Sequence, residues 1–474
     1  MTPRVRALLG PVLMTTLVVG ACGPEGGVHD IAIVDGLVID PETGLFDRVN
    51  VGIRDRTIVT MSREPLEAER VIDATGLIVS PGFIDLHEHG QTEESYALMV
   101  RDGVTSAFEL EVGTGDVAGW YAERQGGQLV NHGVSVGHIK ARMEVLDDPS
   151  EGLLPAGVGG SGSANEEQMA AMEAILRRGL DEGAVAVGFG SAYTPGADMD
   201  EIERMFAIAA EYDASVHIHI RNGVAGLDST IAAARSVGAP LHVVHANSSA
   251  GEAIEEFLAR IQAARDGRQD VTTETYPYGA GMTEIQSALF DDWRSWPDER
   301  FREHQLVSTG ERLDRESFAR ARQEGGTVII HGRTDEMTRT AVVSPLTIIA
   351  SDGYIEDGRG HPRTSGSYSK VLGRYVRDER ALNLADAIRK MTLMPAQRLE
   401  GRTPAMARKG RLQVGADADV TIFDPLAVID RATYEDATIP AAGIPYVIVA
   451  GTLVVDGGSL TDARPGGAVR APLR

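Results

Sequence analysis

The stretch LIVSPGFIDLHEH (residues 77–89) is an apolar strand that closes on two histidines. Side chains two apart on a strand point the same way, so His87 and His89 can reach one cation together while Glu88 points elsewhere. Two imidazoles side by side at a buried strand end are costly to desolvate without a cation. That weighs against a pair satisfied by hydrogen bonds alone. The stretch therefore predicts a strand in a buried sheet and a metal site at its end.

Outward from it, residues 80–400 alternate apolar strands with amphipathic helices. SVHIHI (215–220), LHVVH (241–245) and TVIIH (327–331) fit buried strands. Asn165 with Gln168, and Asp198 with Glu201, have capping-box spacing ahead of helical patterns, and Gly183 sits where a helix C-terminal glycine belongs. Repeated β–α units of this length predict a parallel sheet, and about eight of them close as a (β/α)8 TIM-type barrel, an α/β fold. At both chain ends the pattern changes to Val/Ile runs broken by turns: residues 31–79, ADADVTIFDP (416–425) and IPYVIVAGTLVVDGG (444–458). These predict a small β-sandwich built from residues 30–80 and 406–474 around a barrel of residues 81–405.

The first residues read as an export signal. Arg4 and Arg6 precede an apolar run over 7–21, which ends at Val19-Gly20-Ala21-Cys22 and resembles a bacterial lipobox. Residues 1–22 are then a lipoprotein signal, Cys22 the lipidated first residue of the mature chain, and 23–29 a tether. The expected location is the periplasmic or extracytoplasmic face of a membrane, held through the lipid. Cys22 is the only cysteine, so no internal disulfide can form. A formal net charge of −24 argues against nucleic acid and against electrostatic binding to an anionic membrane surface. The expected partner is a small-molecule substrate.

Twelve histidines are present, and seven lie in or at the end of an apolar strand: His87, His89, His217, His219, His242, His245 and His331. Strand C-termini of a parallel barrel converge on one face. His219 and His245 end their strands and are read as ligands, whereas His217 and His242 lie deeper, packed or behind the ligands. In GVTSAFELEVG (103–113), Glu109 and Glu111 share a face; Glu111, nearer the strand end, is the favoured ligand. Asp352 closes TIIASDG (347–353), where it can bind metal and accept a proton from water; an ordinary Asp-Gly turn is the alternative. Four histidines with one or two carboxylates suit one or two Zn2+ ions.

These residues place the chain in a recognisable setting. PGFIDLHEH, HIR (219–221), the stretch around His245, SDG (351–353), LADAIRKMTLMPAQRL and GRLQVGADADVTIFDP (410–425) resemble motifs of the amidohydrolase superfamily. TETYPYGAGMT (273–283) and HPRTSGSYSKVLGRYVRDE (361–379) resemble those of its N-acyl-D-amino-acid deacylases. The resemblance implies hydrolysis of a C–N amide bond by metal-activated water. It implies one metal held by His87, His89 and Asp352, a second by His219 and His245, and Asp352 as general acid/base. Tyr276 and Arg363 would hold the substrate carboxylate. Two positions depart from the family. The metal-binding cysteine of its second strand is replaced, with Glu111 in the aligned segment, which favours two fully held metals. The lysine expected two residues after His245 is Asn247, so a charge for the carboxylate is missing; Arg221 or Arg363 could replace it. Lys140 admits a carboxylated-lysine reading, disfavoured because a glutamate already supplies the bridge. A dipeptidase, cyclic amidase or lactonase on the same scaffold is the alternative function. The intact ligand set argues against a non-catalytic lipid-anchored binding protein.

Overall fold

The computed structural model describes residues 28–474; Cys22, the leader and most of the expected tether lie outside the described residues. Eight parallel strands follow one another in chain order: β1 (Phe83–Asp85), β2 (Val104–Thr114), β3 (Asn131–Gly137), β4 (Ala186–Gly190), β5 (Ser215–His219), β6 (Leu241–Val243), β7 (Val271–Thr275) and β8 (Thr347–Ile349). The seam between β8 and β1 closes just beyond their ends. There Glu88 bridges Gly353, Asp352 N–H donates to His87 O at 2.7 Å, and His89 N–H donates to Gly353 O at 2.8 Å. The Asp85 carboxylate, buried at the seam, accepts the N–H groups of His87 and Ser351 at 3.0 and 3.1 Å. The sheet is therefore a (β/α)8 barrel with its mouth at the strand C-termini.

Helices coat the barrel as the spacing predicts. Asn165 forms a full capping box with Gln168 ahead of the helix Glu166–Asp181, and Gly183 takes a left-handed φ of +93° after it. The second box forms only by half. Asp198 accepts the Glu201 N–H at 2.9 Å, but the Glu201 carboxylate turns inward to Arg142 and His138 at 2.5 and 2.8 Å. A buried guanidinium competes better for that carboxylate than an exposed backbone N–H does.

Two mixed sheets form the sandwich. One runs Thr57–Ser62, Asn50–Arg54, His29–Val34, Ala68–Asp73. The other joins the chain ends directly, Val420–Phe423 pairing antiparallel with Ile78–Pro81, which pairs parallel with Leu37–Asp40. Ile31, Ile33, Val51 and Ile53 pack between the sheets against Val79, Val420 and Ile422. Phe83, Phe423 and Val447 fasten the larger sheet to the barrel. The final residues leave the sandwich and return to the barrel, where Val469 N–H donates to His132 O at 2.7 Å and Ala471 N–H to Gly183 O at 3.0 Å.

One expected barrel strand is placed elsewhere. Thr327–Ile330 pairs antiparallel with Gly281–Glu284 and His304–Leu306 in a three-stranded sheet inserted between β7 and β8. His331 consequently follows a strand of that sheet and not a barrel strand, and its Nε2 donates to Gln305 Oε1 at 2.9 Å. The seventh barrel strand is VTTET (271–275), whose threonines make it look unlike an apolar strand.

Candidate metal centre

Five strand ends deliver the ligating side chains. His87 and His89 follow β1, Glu111 lies near the end of β2, His219 ends β5, and His245 and Asp352 stand just beyond β6 and β8. His245 (φ +34°) and Asp352 (φ +53°) both hold left-handed backbone conformations, which non-glycine residues adopt at some cost and which cluster at functional sites. All six side chains are largely buried.

Their donor atoms form two clusters, His87–His89–Glu111–Asp352 and Glu111–His219–His245, each with atoms within 4.8 Å of one another. Glu111 is common to both. Its Oε2 stands 2.6 Å from His87 Nε2 and 3.6 Å from His89 Nε2, and its Oε1 stands 3.1 Å from His219 Nδ1. Asp352 Oδ1 is 3.4 Å from the Nε2 atoms of both His87 and His89. His87 and His89 Nε2 are 3.1 Å apart, as are His245 Nε2 and His219 Nδ1. Two zinc-bound nitrogens at ~2.0–2.1 Å lie about 3.3 Å from each other across a tetrahedron. The separations therefore suit ions held at the centre of each cluster.

Charge points the same way. Glu109, Glu111, Glu274 and Asp352 crowd the histidines, and among the described lysines and arginines only Arg363 pairs with any of these carboxylates, through Nη1 to Asp352 Oδ2 at 2.8 Å. Burying this excess of negative charge is unfavourable unless cations accompany it. The residues present thus fit a pair of divalent ions. Burial and the neighbouring His219 push the His245 imidazole down to about 3, leaving it neutral and free to ligate.

Behind the ligands stand residues that orient them. Glu109 faces His89 Nδ1 at 2.8 Å and accepts the Val112 N–H at 3.1 Å, so it backs His89 while Glu111 occupies the centre. Glu274 contacts His87 Nδ1 at 2.5 Å and His242 Nε2 at 3.0 Å. Such carboxylate–histidine contacts fix which ring nitrogen faces a metal. His217 and His242 lie deeper in the barrel, their rings 4.5 Å apart and tilted by 34°. Sequence reasoning missed Glu274; its signal was a lone acid inside a strand, obscured by the threonines around it. It also missed Tyr193, whose ring meets His219 edge-on at 4.6 Å.

The substrate residues divide. Tyr276 and Arg363 reach the mouth, the guanidinium 4.6 Å over the phenol ring. Arg221 lines a neighbouring cleft that shares His219, Ser248 and Leu289 with the cavity at the mouth, and its Nη1 donates to Pro195 O at 3.3 Å. Asn247 is buried and donates to the Tyr276 carbonyl at 3.1 Å. Lys140 donates to Gly152 O at 2.7 Å, and Glu111 is the group shared by both clusters.

A cavity of about 260 Å³ opens on Asp352, Tyr193, His219, His245 and Tyr276. An adjoining recess of about 30 Å³ has Val112, Leu154 and Met282 on its wall beside the charged Glu284, Asp352 and Arg363.

Comparison with known proteins agrees with this geometry. The amidohydrolase family model matches residues 70–455. The N-acyl-D-glutamate deacylase of Alcaligenes xylosoxydans xylosoxydans is 32% identical across 90% of this chain and 93% of its own, and the D-aminoacylase of the same organism 28% identical across 90% and 94%. The solved N-acyl-D-glutamate deacylase of Bordetella bronchiseptica, complexed with zinc and a phosphonate mimic of the tetrahedral intermediate, superposes with a TM-score of 0.81. It is 27% identical, covering 94% of this chain and 100% of that one.

Proposed function

We propose, on the premise that this chain belongs to the amidohydrolase family, that it is a metal-dependent hydrolase that removes the acyl group from N-acyl-D-amino acids. The observation that carries this reading is the pair of donor clusters sharing Glu111 at the barrel mouth, with the Asp352–Arg363 pair beside a cavity. Divalent metal bound there lowers the pKa of water and polarises a carbonyl.

The chain's own groups supply the rest. Burial alone would raise the Asp352 carboxyl, but Arg363 and His87 outweigh it and hold the group well below the usual carboxylate range. Asp352 therefore starts ionised, takes the proton of the attacking water, and hands it to the leaving nitrogen. Tyr193, kept neutral by its burial and by Glu111 nearby, remains a hydrogen-bond donor on the cavity wall. Tyr276 and Arg363 face a substrate carboxylate.

At the N-terminus, the lipobox-like Val19-Gly20-Ala21-Cys22 supports export and lipid anchoring through Cys22. The enzyme would then work on the extracytoplasmic side of a membrane.

The test is a screen of purified, metal-loaded protein against N-acyl-D- and N-acyl-L-amino acids, dipeptides and cyclic amides. The Asp352→Asn protein is run alongside. The reading predicts cleavage of N-acyl-D-amino acids and near-complete loss in the variant. Hydrolysis of only cyclic amides, or full activity in Asp352→Asn, would overturn it.

A further inference from the structure

The carboxylate of the expected substrate needs cations, and Arg363 already spends part of its charge on Asp352. Asn247, where the family resemblance calls for lysine, is neutral and committed to the Tyr276 backbone. A second guanidinium nonetheless lines the same cavity. Arg333 follows the inserted strand Thr327–Ile330 and enters from the side opposite the barrel. Its Nη2 donates to Ser248 Oγ at 2.6 Å, and it makes no ion pair among the described residues. Its Nη1 is shut off from solvent and has no hydrogen-bond partner. The Tyr276 hydroxyl and Arg363 Nε are likewise buried and unpartnered. Arg300, a further cation on this wall, instead lies 3.9 Å over the Trp296 ring.

Gly281 packs against both the Arg333 and the Tyr276 donors. A Cβ built there would stand 2.9 and 3.1 Å from Nη2 and Nη1 of Arg333 and 3.3 Å from the Tyr276 hydroxyl. The backbone of Gly281 lies in an ordinary strand paired with Ile330, so it is the space that calls for glycine. Buried donors without partners are costly, and a guanidinium beside a phenol in a closed recess suits a planar anion accepting two hydrogen bonds.

We propose that Arg333 and the Tyr276 hydroxyl, left uncovered by the glycine at 281, form the subsite for the substrate's α-carboxylate, replacing the charge absent at Asn247. This rests on the deacylase reading. Arg333 would set specificity for acids over amides and take no part in bond cleavage.

The metal-loaded enzyme is titrated by calorimetry with D-leucine and with D-leucinamide, which lacks the carboxylate; neither carries an N-acyl group, and the titrated samples are checked for released ammonia. Wild type should prefer the acid. Arg333→Met should weaken D-leucine binding roughly 10–100-fold and leave D-leucinamide unchanged, with Arg333→Lys recovering part of the loss. Gly281→Ala, whose methyl group would push the Arg333 guanidinium aside while keeping its charge, should also weaken the acid. In steady state, the loss on N-acetyl-D-leucine should fall on KM rather than kcat. Unchanged D-leucine affinity in both Arg333→Met and Gly281→Ala overturns the subsite while leaving the deacylase reading intact. A loss seen with D-glutamate but not D-leucine places the charge on a side-chain carboxylate and also overturns it. A wild type that binds neither compound and cleaves no N-acyl amino acid refutes both.

Discussion

Replacing Glu111 with glutamine tests whether one carboxylate holds two ions. The substitution keeps the size of the side chain and removes its charge. Glu111 lies 2.6–3.8 Å from nitrogens of His87, His89, His219 and His245, so it touches both clusters. A unit charge about 4 Å from another contributes roughly 4 kcal/mol at an effective dielectric of ~20. At about 1.4 kcal/mol per tenfold, that is some three decades of affinity. A divalent ion increases the loss, and the amide oxygen that remains a ligand reduces it, so a fall of roughly 100–1,000-fold is expected at each position. Both proteins would be dialysed to equilibrium against a zinc buffer of fixed free concentration, and metal per chain measured by mass spectrometry. Wild type should hold two ions, and Glu111→Gln should lose both over one range of zinc concentration. One ion per chain in wild type, unaltered by the substitution, would refute the bridging role.

Other outcomes follow from single contacts. Glu274→Gln should lower metal affinity about 10–100-fold on the His87 side while sparing His219 and His245, because Glu274 touches His87 alone among the ligands; competitive chelator titration reads it. Lys390 is buried with its Nζ donating to Thr347 Oγ1 at 2.8 Å, and burial pushes it down to about 7. The unfolded chain, with a lysine near ~10.4, then binds more protons than the folded one between these values. Stability should therefore rise with pH across that window, by up to ~1.4 kcal/mol per unit. Urea midpoints at pH 7, 8 and 9 should climb in wild type and climb less in Lys390→Met. Cys22→Ser should move the protein from the membrane fraction to the soluble one, read by detergent partitioning.

The ligand set was legible because strand parity governs it. A parallel strand that ends on His-x-His can aim both imidazoles only one way, and the same logic carries His219 and His245 to the mouth. Parity also marks the limit of this reading. Glu109 and Glu111 share a face, so only position along the strand separates them, and the structure sets one behind His89 and the other between the clusters. TVIIH has the composition of a barrel strand, yet strand direction is a property of its partners. Its partners are the antiparallel Gly281–Glu284 and His304–Leu306.

That misplaced strand accounts for most of what was not legible. Ligands stand on the barrel, where sequence period maps onto direction. The cavity walls that include Tyr276, Gly281, Met282 and Arg333 stand on the segment inserted between β7 and β8. No period links these four positions; pairing of Gly281 with Ile330 brings them together. The two functions are therefore built on separable supports. Metal ligands are constrained by eight strands at once, whereas the recognition wall is constrained mainly by its own three-stranded sheet. Substitutions at Arg333 or Gly281 should consequently change which acids bind while the zinc content per chain stays at the wild-type value. A loss of metal on Arg333→Met would mean that the insertion also braces the barrel mouth, and would contradict this separation.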